Sequence, residues 1–211
     1  MKPLIPGLTA TELETLVQDE GFPPFRGRQA AEWLYLNHVS SFDDMKNIPA
    51  ALRSKLTEKY DISIGTVITT LHSQDGTVKL LIELRDGSRV ETVGLPYPDR
   101  FSCCISTQVG CSIGCLFCAS GKDGFVRNLE AGEIIGQVFA IRELIRQGKI
   151  LTTEKNRRID HIVFMGMGEP LLNYDATVKT IHLLNSEMGI AARNITVSTA
   201  GIVPGIQRLA D

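Results

Sequence analysis

The chain has 211 residues, of which 43% are hydrophobic and 22% charged, a composition typical of a globular protein rather than a disordered or fibrous one. It contains no apolar run near the roughly 18 residues that a membrane span requires. The formal net charge of −2 excludes a general attraction to nucleic acid, so any such partner must meet a local basic patch.

The amino-terminal sequence and the cysteine count indicate a reducing compartment. Residues 1–21 combine early prolines with four acids and one lysine, which fits neither a secretory signal nor a transit peptide. We therefore expect a cytoplasmic protein without a membrane partner. Thiols stay reduced there, and five cysteines is an odd number. Clustered cysteines therefore indicate metal binding or chemistry before disulfides.

Residues 1–60 are predicted to form a small helical domain. A capping box at residues 11–14 predicts the start of a first helix. Helical patterns follow over residues 26–39 and in LRSKLTEKY, residues 52–60. The last two helices and the segment between them carry six lysines and arginines, mostly offset by acids. A solvated mixed-charge surface and an RNA-binding surface both remain open.

Residues 61–98 are predicted to form an antiparallel β meander with a short linker. Three β-rich runs, IGTVITTLHS, TVKLLIEL and SRVETVGL, have the composition of strands. They are separated by Asp75-Gly76 and Asp86-Gly87, dipeptides that are typical of hairpin turns. The linker with Pro96 and Pro98 ends the meander.

Strands and helices alternate over residues 99–211, which predicts an α/β fold with parallel strands and crossover helices. The strands are FSCCIS, IDHIVFM and NITVSTA. Three parallel strands are too few to complete a doubly wound sheet or a barrel, so we expect an incomplete domain with an open edge at its last strand. Between residues 142 and 158, six basic residues face two acids, which predicts either a solvated loop or a phosphate contact.

The most specific pattern is a cysteine triad. Cys111, Cys115 and Cys118 fall within eight residues with the spacing C-x-x-x-C-x-x-C. Thiolates are soft ligands that suit zinc or iron with sulfide. Structural zinc usually takes four protein ligands, often from two separated C-x-x-C pairs, whereas three thiolates on a [4Fe-4S] cluster leave one iron open. The spacing therefore favours an iron–sulfur cluster.

Residues near the triad fit such a cluster. Gly110 and Gly114 would let the backbone wrap closely around it, and Phe117 would shield it from water. A zinc site completed by Cys103, Cys104 or a distant histidine is the alternative.

The triad after the first strand of a parallel α/β unit resembles the radical S-adenosylmethionine (SAM) enzymes, in which the open iron binds the amino and carboxylate groups of the methionyl part. A second point of resemblance is MGMGEP, residues 165–170, directly after a strand. Its glycines would let the backbone approach the ligand, and the carboxylate of Glu169 would accept from the ammonium group. The resemblance implies a partial (β/α) barrel of the radical SAM type, with a [4Fe-4S] cluster and S-adenosylmethionine as cofactors.

Longer stretches resemble the RlmN/Cfr group of dual-specificity rRNA and tRNA adenine methyltransferases. They are CISTQVGCSIGCLFCASGKDGFVRNLEAGEIIGQV, VFMGMGEPLLN and ITVSTAGIVP, with FRGRQAAEWLYLNHVSSFDDM similar to that group's N-terminal helical domain. The resemblance runs over residues 8–211. It implies that the cluster is held by Cys111, Cys115 and Cys118. It also implies that S-adenosylmethionine is contacted by Gly168, Glu169 and Ser198.

In that family, C2 of an adenine in 23S rRNA and tRNA is methylated through a methyl group first placed on a cysteine near the C-terminus. A second cysteine, which matches Cys104, resolves the protein–RNA adduct, and the matching proton acceptor is Glu91. No cysteine follows Cys118, so the methyl-carrying thiol is absent from these 211 residues. We expect a C-terminally truncated fragment of a longer enzyme or, failing that, a degenerate relative.

The resemblance also implies partners. They are 23S rRNA, tRNA and an electron donor such as flavodoxin or ferredoxin. Two other functions stay open: a radical SAM enzyme with another target, such as adenine C8, and a zinc-stabilised module that binds RNA or protein. The identity of the metal separates the binding module from the two enzymes.

Overall fold

The computed structural model describes residues 1–116, 118–122, 124–150, 152–153 and 158–210. The helices are α1 (Ala10–Asp19), α2 (Phe25–Tyr35), α3 (Ala50–Lys59), α4 (Ala119–Lys122), α5 (Ala131–Arg146), α6 (Tyr174–His182) and α7 (Val203–Ala210). The strands are β1 (Gly65–His72), β2 (Val78–Leu84), β3 (Arg89–Pro96), β4 (Phe101–Cys104), β5 (Gln108–Gly110), β6 (Phe125–Asn128), β7 (Ile159–Phe164) and β8 (Ile195–Val197). In the part of the chain so described, no helix combines the length and the apolarity needed to cross a membrane.

The three helices expected in residues 1–60 are present, but the first capping box lies two residues earlier than predicted. Thr9 Oγ1 accepts from Glu12 N at 3.2 Å, and Glu12 Oε2 accepts from Thr9 N at 2.7 Å. The sequence TATELE contains the box pattern twice, and local propensity does not separate the two. The start at Thr9 leaves Ala10 N free to donate to the carboxylate of Glu187 at 3.1 Å, so a tertiary contact satisfies a first-turn amide.

Six strands form one sheet in the order β1-β2-β3-β4-β7-β8. Pairing is antiparallel from β1 to β4 and parallel among β4, β7 and β8, which confirms both the meander and the parallel α/β unit. Because β3 pairs with β4, the sheet is continuous across residues 98 and 99. The division into domains at that point stays a prediction. Strand β8 is the last in the order, where an open edge was expected.

Strands β5 and β6 form a separate two-stranded antiparallel ribbon, which was not predicted from the sequence. They have three and four residues. Segments of that length are too short to display a period of two. The ribbon brackets the cysteine triad in sequence, so it belongs to the candidate site.

The two faces of the sheet differ in burial. Phe101 and Cys103 on one face are fully buried. Helix α5 packs on this face, next to Phe101 and Gly94. On the other face, here called the open face, Ser102 is buried, whereas its neighbours on that face are half-buried or exposed. Strand alternation and register place the following residues on it: Glu91, Val93, Cys104, His161, Val163 and Thr196.

Helix α5 also supports the amino-terminal segment through contacts that leave no room for side chains. A Cβ atom on Gly132 would overlap the carbonyl oxygen of Pro6, and one on Gly136 would overlap the side chain of Ile64. The buried hydroxyl of Tyr35 accepts from Gly7 N at 3.1 Å and donates to Leu8 O at 2.6 Å. The amino-terminal segment therefore rests directly on the α5 backbone.

Candidate functional site

The segment that follows β4 is the point where the sheet, α5 and the site loops meet. The buried side chain of Gln137 accepts from Ser106 N at 2.8 Å and donates to Ser106 O at 2.9 Å. The Ser106 hydroxyl donates to Glu91 O at 2.6 Å and accepts from Met167 N at 2.9 Å. Thr107 N donates to Met167 O at 2.8 Å. These bonds dock the loop after β7 against the residues that lead into the cysteine triad.

The triad lies in one loop between β5 and β6, closed at its base by two glycines. Cys111 N donates to Gly124 O at 3.2 Å. Gly110 has φ +72°, and a Cβ atom there would overlap the same carbonyl oxygen, so only glycine fits. Inside the loop, Cys118 N donates to Cys115 O at 3.1 Å. The protein backbone alone therefore defines the base of the loop and one turn within it.

The three loop thiols are free and half-buried. Across the described residues, His, Cys, Asp and Glu side chains nowhere converge in a group of three or more that would hold a metal ion. The structure thus brings the cysteines into one loop without converging their sulfurs. Three soft thiols in a short loop nevertheless fit the donor set of an iron–sulfur cluster. Phe117, expected to shield it, lies outside the described residues.

The loop MGMGEP after β7 uses its glycines for contact with protein. A Cβ atom on Gly166 would lie 2.6 Å from Ser106 Oγ, and one on Gly168 would lie 2.5 Å from Gln108 Cβ. Gly168 also has φ +98°, a conformation that L side chains rarely adopt. In this structure, the glycines let the loop come close to the segment after β4.

Glu169 joins two loops through its carboxylate. The residue is only 3% exposed, and its Oε1 accepts from Leu171 N at 3.0 Å while its Oε2 accepts from Ala200 N at 2.6 Å. Its own N–H donates to Gln108 Oε1 at 2.9 Å. Each carboxylate oxygen keeps a second lone pair beyond these bonds. Glu169 therefore fixes the spacing of the loops after β7 and β8.

Ser198 follows β8 directly and is exposed. Its N–H donates to Phe164 O at 3.4 Å, which extends the pairing of β7 and β8 by one bond. Gly168, Glu169 and Ser198 therefore lie on adjoining loops at the carboxyl ends of neighbouring parallel strands. Ligands of open parallel sheets collect at this edge.

Glu91 and Cys104 share the open face of the sheet. Val93 pairs with Cys104, and Glu91 is two residues from Val93 along β3, so the two side chains are diagonal neighbours. Diagonal Cα atoms in an antiparallel pair are about 7–8 Å apart. The half-exposed Glu91 carboxylate lies 2.9 Å from Lys79 Nζ.

The adjacent thiols of Cys103 and Cys104 point to opposite faces. Burial raises the pKa of Cys103 to about 12, and its sulfur lies 3.8 Å from Thr92 Oγ1 in the packed interior. Burial also raises the pKa of Cys104, an effect that the backbone N–H of Met165 partly offsets. Of the two thiols, only that of Cys104 faces the side on which Glu91 lies.

Sequence reasoning missed the buried amides that hold the site together. Besides Gln137, Asn173 Nδ2 donates to Thr107 O and Leu129 O, both at 2.8 Å. Gln108 Nε2 donates to Asn128 Oδ1 at 2.8 Å. A usable signal exists only for Gln137, a single polar residue in the apolar run IIGQVFAI, because a buried amide must find hydrogen-bond partners.

Comparison with known proteins gives two family matches. Residues 5–62 match the family described as Ribosomal RNA large subunit methyltransferase N-terminal domain. Residues 105–211 match the Radical SAM superfamily. That superfamily uses a [4Fe-4S] cluster and S-adenosylmethionine.

Individual relatives agree with these matches. The chain is 46% identical over 206 residues to a protein of Thermosynechococcus vestitus named "Probable dual-specificity RNA methyltransferase RlmN", and 44% identical over 205 residues to the protein of that name from Synechococcus sp.. Both alignments cover 97% of this chain. A radical SAM methyltransferase from Sphaerobacter thermophilus superposes with a TM-score of 0.90 at 41% identity, over 99% of this chain and 60% of the other. This chain spans 57% and 56% of the length of the two named relatives.

Proposed function

This chain belongs to the Radical SAM superfamily, and on that premise we propose that its protein methylates C2 of an adenine in 23S rRNA and tRNA. The matching relatives are named as dual-specificity RNA methyltransferases of the RlmN type. Their amino-terminal domain also has a counterpart here.

One observation carries the proposal. The segment that leads from β4 towards the triad loop and the loop after β7 that contains Glu169 are joined by the bonds from Thr107 N to Met167 O and from Met167 N to Ser106 Oγ. The segment that leads to the candidate cluster ligands therefore meets the loop with the candidate contacts to S-adenosylmethionine at the carboxyl edge of the sheet. This is the arrangement expected if both cofactors meet.

We assign the cluster to Cys111, Cys115 and Cys118. When bound there, the cluster and S-adenosylmethionine would supply radical chemistry through reductive cleavage of the sulfonium. The chain's part is to hold these groups in place and keep water out.

We assign contacts with S-adenosylmethionine to Gly168, Glu169 and Ser198. Glu169 holds the loops after β7 and β8 at a fixed spacing, and its remaining lone pairs accept from the ammonium group. Ser198, exposed at the same edge, offers a hydroxyl. The positive φ of Gly168 keeps the backbone of this loop close to Gln108.

On the open face we assign Cys104 as the thiol that resolves the protein–RNA adduct and Glu91 as the proton acceptor. The raised pKa of Cys104 keeps its thiol protonated at neutral pH, so its attack requires transfer of a proton. Glu91 is the nearest carboxylate along β3 on that face. The methyl-carrying cysteine of the family has no counterpart after Cys118 among the 211 residues.

The proposed partners are 23S rRNA, tRNA and a one-electron donor such as flavodoxin or ferredoxin. The helices in residues 1–60 are the proposed RNA-binding domain, since they match the N-terminal domain of rRNA methyltransferases. We propose a cytoplasmic location because a cluster site built from free thiols requires a reducing compartment.

The decisive experiment is EPR spectroscopy of the chain reconstituted anaerobically with iron and sulfide and reduced with dithionite. We expect a [4Fe-4S]⁺ signal that shifts when S-adenosylmethionine is added. The Cys111→Ala/Cys115→Ala/Cys118→Ala variant should lose the signal, whereas Cys103→Ala, which removes a buried thiol outside the loop, should keep it. Tight zinc binding without cluster assembly would instead establish a zinc-stabilised binding module.

The position of methylation requires a separate test in the organism that encodes the chain. Mass spectrometry of nucleosides from 23S rRNA and tRNA should detect 2-methyladenosine, and the Cys104→Ala substitution should abolish it. If the 8-methyl isomer is lost instead, the C2 assignment is wrong while the radical chemistry stands.

A further inference from the structure

A cavity lies between the end of α2 and the start of β7. Its volume is about 470 Å³, within the roughly 300–1,000 Å³ range of small-molecule sites. Its lining includes Tyr35, His38, Arg142, Glu143, Arg146, Arg158 and Met188. The cavity thus lies at the amino end of β7.

Two of its three arginines have no acidic partner among the described residues. Arg142 Nη1 donates to Tyr35 O at 3.1 Å and lies 2.6 Å from His38 Nε2, a neutral contact. Arg158 Nη2 donates to Met188 O at 3.1 Å. Arg146, by contrast, forms an ion pair with Glu143 at 2.6 Å. The cavity therefore holds two positive charges that this part of the protein does not neutralise.

The two charges act on each other and on His38. Burial and the charge of Arg158 lower the pKa of Arg142 to about 10. Burial and the charge of Arg142 lower the pKa of His38 to about 4, so its imidazole is neutral at physiological pH. His38 also has φ +54°, an uncommon conformation for a residue with a side chain. Holding a half-buried guanidinium beside a second one costs free energy unless an anion offsets it.

We propose that this cavity binds a phosphate group, held between the guanidinium groups of Arg142 and Arg158. The planar fork of arginine matches phosphate oxygens, and the neutral His38 keeps the Arg142 side chain in place. The phosphate belongs either to an RNA backbone or to free phosphate. Because β7 has six residues at about 3.3 Å each, the cavity is roughly 20 Å from the carboxyl edge of the sheet. The proposal does not depend on the methyltransferase assignment.

Two probes test the proposal on the full chain. The first is a fluorescein-labelled single-stranded RNA of 12 nucleotides, followed by anisotropy at several salt concentrations. The second is inorganic phosphate, followed by the shift in melting temperature. The test variant is Arg142→Gln/Arg158→Gln. The matched control is Arg89→Gln, which removes a surface charge paired with Glu83.

If the phosphate comes from RNA, the double variant binds the probe about tenfold more weakly, and the slope of log K against log salt falls by about 0.7. If free phosphate is the ligand, the phosphate-induced rise in melting temperature disappears and RNA binding is unchanged. Unchanged responses to both probes, or an equal loss with Arg89→Gln, overturn the proposal. Should the double variant fail to fold, Arg158→Gln carries the same test, because that side chain is exposed.

Discussion

The two loops of the candidate site differ in how far the protein alone orders them. The loop after β7 is bonded to its surroundings from Gly166 to Glu169, with the carboxylate of Glu169 reaching across to the loop after β8. The cysteine loop is fixed at its base, where Gly110 meets Gly124, and its thiols do not converge. We infer that folding alone orders the loop after β7, which carries the proposed contacts to S-adenosylmethionine, whereas the proposed cluster would supply the final order of the cysteine loop.

Glycine substitution should give the largest difference in stability between the two loops. Gly168→Ala places a side chain 2.5 Å from Gln108 Cβ at a positive φ. We expect a loss of about 2–5 kcal/mol in the free energy of unfolding, from strain and overpacking together. Gly114→Ala in the cysteine loop meets nothing within 4 Å, so only the φ strain of about 1–2 kcal/mol applies. Urea unfolding followed by circular dichroism measures both, and equal losses would refute the comparison.

Next in size is the effect of removing the Glu169 carboxylate. Glu169→Ala leaves Leu171 N and Ala200 N without their buried acceptor, which should destabilise the fold by about 3 kcal/mol and weaken binding of S-adenosylmethionine. Glu169→Gln keeps one acceptor oxygen and should lose about half as much. Urea unfolding and calorimetric titration of the reconstituted protein provide the two readouts. A stability unchanged in Glu169→Ala would show that the bridge between the loops contributes nothing.

The alkylation rates of the thiols should show how open the cysteine loop is in the metal-free protein. In the metal-free protein the three half-buried loop thiols should react with iodoacetamide at least about tenfold faster than Cys103, whose pKa of about 12 and full burial suppress the thiolate. Cys104 should react slowly at neutral pH and gain as the pH rises, because its pKa is raised. Peptide mass spectrometry quantifies each site. Reconstitution should protect the loop thiols alone, and a slow reaction before reconstitution would mean that the loop is already closed.

The smallest effect should be that of the triad on the stability of the metal-free chain. Cys111→Ala/Cys115→Ala/Cys118→Ala should change its free energy of unfolding by less than about 1 kcal/mol, since the thiols are half-buried and make no mutual contacts as ligands. After reconstitution only the unsubstituted chain should gain in melting temperature, because the cluster binds only the folded state. A large loss in the free energy of unfolding of the metal-free variant would contradict the view that the loop is incompletely ordered without a cluster.

Element types were predictable where the sequence pattern is long. The hairpin turns at Gly76 and Gly87 have positive φ, as the Asp-Gly dipeptides indicated, and the parallel pairing of β4, β7 and β8 follows from the alternation of strands and helices. The ribbon of β5 and β6 was not predictable. Its pairing depends on a glycine contact between residues that are 14 positions apart, and the single sequence carries no signal for such a contact.

The candidate site was predictable as a set of residue types but not as an arrangement. The spacing of Cys111, Cys115 and Cys118 gave the chemistry of the loop, and the resemblance gave Glu169. That the Glu169 carboxylate is already bonded to two backbone amides depends on where two loops meet in space. The role of Gln137 was equally hidden, because a glutamine on a helix shows its partner only once the helix is packed.

Helix α5 connects the amino-terminal segment to the residues that lead into the site loops. Its glycines bring its backbone against Pro6 and Ile64, and the next residue, Gln137, forms hydrogen bonds with both polar groups of the Ser106 backbone. Along this path the amino-terminal segment contacts the α5 backbone directly, and the buried side chain of Gln137, held by two hydrogen bonds, joins α5 to the residues that lead into both site loops. Helix α5 therefore links the position of the amino-terminal segment to that of the site loops through close-packed contacts.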